Sequence, residues 1–326
     1  MARFDMSPDE LARYLPDREE PPDFDDFWLD TLDEQDEQHP LSVEIAAVDN
    51  GLTEIITQDV TFTGFGGAPI RAWYHRPAHR DEDLPVVVRF IGYNGGRGLP
   101  HQTTLMAQTG FAVLVMDSRG QGGRGNPGHT GDSGWSGSHV AGFLTAGITS
   151  PKTYYYRRIY TDAARAVLVA HGLPGVDGHR VLTQGASQGG ALSLAAAYLS
   201  ELRGFELRGM IADVPFLTHI RRATEITDAS PFSELTQFLH VHRDKLDVVF
   251  STLSYIDGVN LAARIHVPGL FSVGLFDEIC PPSCVYAGYN HYAGEKKMIV
   301  YPYNGHENGE GFQELENIRF ARERLG

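Results

Sequence analysis

The chain alternates short, continuously apolar runs with longer segments in which apolar residues recur every three or four positions. Uninterrupted short runs are typical of strands buried on both faces, and the longer spacing is typical of helices. Six runs predict strands, over 85–91, 111–117, 180–184, 209–214, 269–276 and 297–301. Five segments predict helices, over 102–108, 160–171, 190–201, 284–292 and 310–324. This alternation indicates an α/β fold with a mostly parallel central sheet and helices on both faces.

Three segments depart from this alternation. Residues 60–64 and 70–75 predict a hairpin. Residues 118–153 hold 10 of the 36 glycines and show little periodicity, which predicts a long inserted loop of functional or disordered character. Residues 217–260 predict a mainly helical cap excursion, at the place where such folds cover the site.

Negative charge is concentrated at the beginning of the chain. The net charge is −15, and residues 1–40 contribute −11 of it, from 14 acidic and three basic residues. Apolar side chains recur at Phe24, Phe27, Trp28 and Leu32 and would share one face of a helix. This predicts an acidic, solvated helical extension over about 1–40 that docks by its apolar side. With no internal repeat or linker, residues 1–326 are interpreted as a single domain carrying this extension. The remainder carries a net charge of −4, which argues against nucleic acid as a partner, because phosphate binding needs a basic face.

The sequence carries no sign of a membrane segment. No run of 18 apolar residues occurs, so no spanning helix is predicted. The N-terminal residues lack the basic and apolar regions of a secretory signal. We therefore expect a cytoplasmic protein without a membrane partner.

The cysteines and a histidine pair are the candidates for a disulfide or a metal site. Cys280 and Cys284 are the two cysteines, and they are expected to be reduced, small core residues. His240 and His242 have no third ligand at a recognisable spacing, so no metal site is predicted.

The most informative motif is Gly-Ala-Ser-Gln-Gly at 185–189, which fits the pattern G-x-S-x-G. It lies between the predicted strand 180–184 and the predicted helix 190–201. A serine in such a sharp turn is the nucleophile of the α/β-hydrolase fold, and small neighbours let the two backbones approach. We therefore predict that fold with Ser187 as the nucleophile, against the alternative of an ordinary glycine-serine loop.

A serine hydroxyl needs a base, and in this fold an acid and then a histidine follow the nucleophile along the chain. Asp277 directly follows the apolar run 269–276, and His306 lies in the turn after the last predicted strand. Ligands and catalytic groups gather at the carboxyl ends of such strands. Asp277 and His306 are thus the predicted acid and base, with Glu278 as the alternative acid.

Ester hydrolysis also needs hydrogen-bond donors for the negative oxygen of the transition state. The N–H of Gln188, directly after the nucleophile, is the first predicted donor. The second is expected in the glycine-containing loop 92–96, which follows the strand 85–91, and we favour the N–H of Tyr93.

Several stretches of the chain resemble the acetyl xylan esterase / cephalosporin C deacetylase family, family seven of the carbohydrate esterases. The likeness runs from the acidic N-terminal segment to the last helix. The matching stretches are 119–123, 154–162, 185–190, 213–217, 254–257, 260–262, 281–283 and 306–307. The Arg-Gly-Gln element at 119–121 is the specific one, because α/β-hydrolases in general lack it.

The resemblance implies a serine carboxylesterase that hydrolyses acetyl esters of small carbohydrates, such as acetylated xylo-oligosaccharides, and of cephalosporin C. It implies the same triad and oxyanion hole, no cofactor, and a homo-hexamer whose sites face an inner chamber. By resemblance, Pro215 and Phe216 form the wall of a small acyl pocket. Arg119 and Gln121 are expected to brace the loops around the site, with substrate binding as the alternative.

Two other functions stay open at this stage. One is a different α/β-hydrolase, such as a peptidase or a dienelactone-type hydrolase. The other is a non-catalytic, hydrolase-like binding protein. Such binding proteins usually lose part of the triad, so the three catalytic residue types standing in the expected order favour an enzyme.

Overall fold

A computed structural model describes residues 4–133, 139 and 141–326. Over these residues the chain forms one nine-stranded sheet with the spatial order β1-β2-β3-β5-β4-β6-β7-β8-β9. The strands are β1 (Val43–Val48), β2 (Ile55–Thr63), β3 (Pro69–Pro77), β4 (Leu84–Phe90), β5 (Ala112–Met116), β6 (Val176–Ala186), β7 (Gly209–Asp213), β8 (Gly269–Gly274) and β9 (Lys296–Tyr301). Pairing is antiparallel from β1 to β5 and parallel from β5 to β9.

Helices cover both faces of this sheet. They are α1 (Pro8–Leu11), α2 (Phe24–Gln38), α3 (Leu105–Gln108), α4 (Tyr155–His171), α5 (Gln188–Leu202), α6 (Ile220–Ile226), α7 (Phe232–Val241), α8 (Leu246–Ser254), α9 (Gly258–Ala262), α10 (Pro282–His291) and α11 (Gly311–Leu325). Val86 and Val88 of β4 pack in the larger core with α4 and α5, whereas Val87 packs in a second core with α3 and α11. Burial on both faces explains why the parallel strands are continuously apolar. None of the described helices combines the length and the apolar character needed to cross a bilayer.

The predicted α/β architecture is confirmed, and the differences lie at its margins. All six predicted strands, the hairpin and the helical excursion, now α6 to α9, are present. The prediction missed β1, an edge strand whose residues are largely exposed and therefore show no buried run. It also began α3 too early, because Thr103 has a φ of 57° and interrupts the helix. The described part of the inserted loop, without 134–138 and 140, contains one short 3-10 turn and no α-helix.

The acidic extension packs on the domain through α2. Trp28 is fully buried, and its indole N–H donates to the carbonyl of Tyr255 at 3.1 Å. The acidic side of α2 was expected to be solvated, but it makes ion pairs with arginines of the domain. These pairs are Arg157–Glu34 at 2.8 Å, Arg165–Asp36 at 3.1 Å and Arg264–Asp25 at 2.6 Å. The three carboxylates are 44–50% exposed, so this face is in contact with solvent and its charges also have partners in the domain.

Candidate active site

Ser187 occupies the turn between β6 and α5. Its backbone has φ 58° and ψ −122°, a conformation that non-glycine residues adopt only when their surroundings enforce it. A Cβ on Gly185 would lie 2.2 Å from the Gly189 carbonyl carbon, and a Cβ on Gly189 would lie 2.6 Å from the Phe90 carbonyl oxygen. Glycine is therefore required at both positions. The Ser187 N–H donates to the Asp213 carbonyl at 2.9 Å, which ties the turn to β7.

Asp277 and His306 lie in contact at the carboxyl ends of β8 and β9. One carboxylate oxygen of the fully buried Asp277 is 2.9 Å from Nδ1 of His306. The other oxygen accepts the backbone N–H groups of Ile279 and Cys280, each at 2.8 Å. This engagement of Nδ1 leaves Nε2 of the imidazole for proton transfer. Of the two candidate acids, Asp277 makes the contact, whereas the Glu278 residue is exposed.

Ser187 and His306 line one cavity of about 400 Å³ at this edge of the sheet. Ligand atoms of Asp277, Cys280 and His306 lie within 4.8 Å of one another, which is the arrangement a metal ion would need. Burial raises the pKa of the Cys280 thiol well above its usual value, so the thiol stays protonated. Since metals bind the thiolate form, this environment suits a hydrogen-bonded set of side chains better than a metal site.

The loop after β4, which carries Tyr93, lies beside the turn that carries Ser187. In the part of the chain that the structure describes, neither the Tyr93 nor the Gln188 backbone N–H has a hydrogen-bond acceptor. Gln121 holds both segments, because its side-chain oxygen accepts the Asn94 N–H at 2.6 Å and the Gln188 side-chain amide at 3.1 Å. Gln121 thus braces the two predicted oxyanion donors, as expected, and it lies outside the cavity lining.

The side chain of Tyr93 anchors its loop on the opposite side. Its hydroxyl donates to the carboxylate of Glu234 in α7 at 2.7 Å and accepts the Phe143 N–H at 2.9 Å. Burial, together with the adjacent Glu234 carboxylate, raises the pKa of Tyr93 far above its usual value, so the hydroxyl stays protonated. The position of the Tyr93 backbone therefore depends on the helical excursion and on the inserted loop.

Arg119 is the buried centre of an ion-pair network below the site. Its guanidinium donates to both oxygens of Asp162, at 2.6 and 2.8 Å, and to Asp132 at 3.2 Å. Its backbone carbonyl accepts the hydroxyl of Tyr155 at 2.7 Å, and that hydroxyl in turn accepts the Gln121 side-chain amide at 2.9 Å. Arg119 thus fixes the inserted loop against α4 and does not contact the cavity.

We expect Arg119→Met to lower the free energy of unfolding by about 3–5 kcal/mol, because Asp162 would stay buried without its cation. Denaturant unfolding followed by circular dichroism measures the change. The matched control is Arg319→Met, which breaks the exposed pair with Glu316 and should cost less than about 1 kcal/mol. Equal losses of unfolding free energy in the two variants would show that the Arg119 network stabilises the fold no more than an exposed ion pair does.

The remaining predicted residues lie apart from the cavity. Pro215 and Phe216 are buried. The centroid of the Phe216 ring lies 4.6 Å from that of Phe232 and 6.1 Å from that of Tyr93. Neither residue lines the cavity that holds Ser187, so their acyl-pocket role stays a prediction. His240 and His242 are exposed at the end of α7, and the described residues place no third ligand beside them.

The sequence reasoning missed several polar residues that line the cavity. Gln184 and Arg89 point from β6 and β4, and Asn308 follows His306 in the loop before α11. Gln184 carried a usable signal, because a polar side chain inside an otherwise apolar strand needs a partner. Asn308 carried none, since its relation to the cavity depends on the path of the loop.

Comparison with known proteins agrees with this architecture. The family model described as acetyl xylan esterase (AXE1) matches residues 1–324. The acetyl esterase Axe7A of Xylanibacter ruminicola is 29% identical over an alignment of 322 residues, and the match covers 92% of this chain and 66% of that protein. The chain thus spans just under two thirds of the length of this curated relative.

Two solved structures match almost the whole chain. The acetyl xylan esterase from Paenibacillus sp. R4 is 36% identical with a TM-score of 0.88, covering 98% of this chain and 100% of that one. Acetyl xylan esterase 1 from Thermoanaerobacterium sp. JW/SL YS485 is 33% identical with a TM-score of 0.88, covering 99% and 100%. The predicted α/β-hydrolase fold is confirmed.

Proposed function

The chain belongs to the acetyl xylan esterase family, and on that premise we propose that it is a serine esterase that hydrolyses acetyl esters of small carbohydrates. The observation that carries the proposal is the contact between Asp277 and His306, beside a cavity that His306 shares with the strained Ser187. Strain in a non-glycine residue is typical of functional sites. The family match supports the acetyl group and the carbohydrate alcohol as the two halves of the substrate.

In the proposed mechanism, the Ser187 hydroxyl oxygen attacks the acetyl carbonyl carbon while His306 accepts its proton. The N–H groups of Tyr93 and Gln188 donate to the carbonyl oxygen as it becomes negative. Collapse breaks the bond to the sugar oxygen, which takes the proton from His306. Water then attacks the acetyl-enzyme with His306 again as the base, which releases acetate and restores the serine. Asp277 holds the imidazole and stabilises its cation throughout.

The acyl side of the site is expected to accept acetate and to reject long chains. Phe216 is buried against Tyr93 and Phe232, and by family resemblance we expect it to close the acyl side of the site. We expect kcat/KM for p-nitrophenyl acetate to exceed that for the octanoate by at least about 100-fold, since each poorly fitted methylene costs binding energy in the transition state. Initial rates on the acetate, butyrate and octanoate esters measure this, with buffer hydrolysis of each ester subtracted.

Two outcomes would contradict these statements separately. A preference for octanoate would remove the small acyl pocket and leave the esterase intact. Failure of a fluorophosphonate probe to label Ser187, read by mass spectrometry of the tryptic peptide, would instead favour a non-catalytic binding protein and remove the proposed function.

Three narrower expectations stay predictions. Deacetylation of cephalosporin C can be followed by release of acetate. A hexamer can be tested by light scattering of the purified protein at several concentrations. A cytoplasmic location can be tested by fractionating the cells that make the protein.

A further inference from the structure

Two buried carboxamide side chains line the cavity beside Ser187 and lack hydrogen-bond partners among the described residues. Gln184 and Asn308 both line it, and their residues are 8% and 7% exposed. The carboxamide oxygen of each is buried without a hydrogen-bond partner among the described residues. Because buried polar groups are nearly always hydrogen-bonded, two such groups in one lining make this cavity a suitable place for a hydrogen-bonding ligand.

A third polar group of the cavity is also unpaired. Arg89 lines the cavity, and its side chain makes no hydrogen bond within the described part of the chain. The carboxylates of Glu314 and Asp213 are the opposite charges that act on its guanidinium. The lining also carries Glu307 and Glu310, so carboxyl groups outnumber this single cation, and the cavity favours a neutral ligand rich in hydrogen-bonding groups over an anion.

The cavity lies on the side of the site where the alcohol of the ester must leave. His306 has to deliver its proton to the leaving oxygen, so the leaving group lies next to the imidazole. The lining includes His306 and several residues after it, among them Asn308 and Glu310. Pro215 and Phe216, the predicted acyl wall, are absent from this lining. The cavity is therefore placed to hold the alcohol rather than the acetyl group.

We propose that this cavity binds the sugar released from the ester. The carboxamides of Gln184 and Asn308 and the guanidinium of Arg89 would form hydrogen bonds with the hydroxyl groups of that sugar. The proposal rests on the proposed esterase function and assigns the leaving-group side of the same site. A carboxamide presents a donor and an acceptor in one plane, which suits adjacent hydroxyls, since each of these both donates and accepts. A volume of about 400 Å³ lies within the range of small-molecule sites. The apolar residues Leu105 and Met106 of α3 supply contact for the C–H groups of a sugar ring.

The test compares two acetyl esters that differ in the alcohol. Monoacetylated xylobiose has free hydroxyls, and p-nitrophenyl acetate has none. We expect Gln184→Met and Asn308→Gly each to lower the ratio of kcat/KM for the sugar ester to kcat/KM for the nitrophenyl ester by about tenfold or more, which is the effect of a lost buried hydrogen bond. Methionine keeps the length of Gln184, and glycine fits the φ of 62° at Asn308. Gln237→Met, an exposed position on α7, is the matched control and should leave the ratio unchanged.

A second measurement does not depend on the variants. Xylobiose should inhibit nitrophenyl acetate hydrolysis by the unaltered enzyme competitively, with a weaker inhibition constant in each folded variant. No inhibition by xylobiose, or an unchanged ratio in both variants while hydrolysis still depends on Ser187, would overturn the sugar site alone. If the unaltered enzyme hydrolyses neither ester, the esterase function itself fails, and the sugar site fails with it.

Discussion

Replacing Ser187 by alanine is expected to lower kcat for p-nitrophenyl acetate by about 10⁵- to 10⁶-fold, as the loss of the nucleophile does in other serine hydrolases. The variant removes the atom that attacks the carbonyl carbon, and the oxyanion donors alone supply the residual rate. Alanine, like serine, has an unbranched Cβ and is no larger, so the strained turn, held by Gly185 and Gly189, should persist. Stopped-flow or plate assays of nitrophenolate release measure the rate.

The control for this result is Ser200→Ala. Ser200 lies in the same helix, α5, and does not line the cavity, so its hydroxyl should have no effect on kcat beyond a few-fold. Both variants should unfold near the temperature of the unaltered protein. If Ser187→Ala turned over the ester at the normal rate, the assignment of the nucleophile would be wrong.

Replacing Asp277 by asparagine is expected to lower kcat by about 10⁴-fold with little change in fold. The oxygen of the new carboxamide is drawn to the backbone N–H groups of Ile279 and Cys280, which Asp277 now binds at 2.8 Å. The NH₂ group then faces Nδ1 of His306 and forces the ring proton onto Nε2. That tautomer cannot accept the proton of the serine.

Glu278 offers the control for this second experiment. It is adjacent in sequence and exposed, so Glu278→Gln should leave kcat within about twofold, the usual range for a surface change away from the site. A larger loss in Glu278→Gln than in Asp277→Asn would reverse the assignment of the acid. The pair of variants thus decides between the two carboxylates that the sequence left open.

The parts of the site that follow local rules could be predicted from the sequence. The strand, the small residues around Ser187 and the helix behind it are contiguous, so their geometry is encoded within about 20 residues. Asp277 and His306 could be predicted because each follows an apolar strand whose carboxyl end must reach the same sheet edge. In the structure, the Asp277 carboxylate and Nδ1 of His306 are 2.9 Å apart, as their places at this edge predicted.

The parts that depend on distant contacts could not be predicted. The link of Gln121 to Asn94 and Gln188 joins three segments whose relative positions are set by the packing of the whole sheet. The unpaired carboxamides of Gln184 and Asn308 become visible only when both are found in one cavity. The strand β1 was missed because an exposed edge strand lacks the buried pattern that marks the others.

The hydrogen bond between Tyr93 and Glu234 has a consequence for engineering. The two residues are 141 positions apart in the chain, yet the hydroxyl of one and the carboxylate of the other share a half-buried contact of 2.7 Å. The excursion that carries Glu234 is therefore not an interchangeable module. A variant that replaces this excursion by one from another protein must supply a new hydrogen-bond acceptor for the Tyr93 hydroxyl. Without it, the enzyme would keep its nucleophile but lose the position of the Tyr93 N–H, a predicted oxyanion donor.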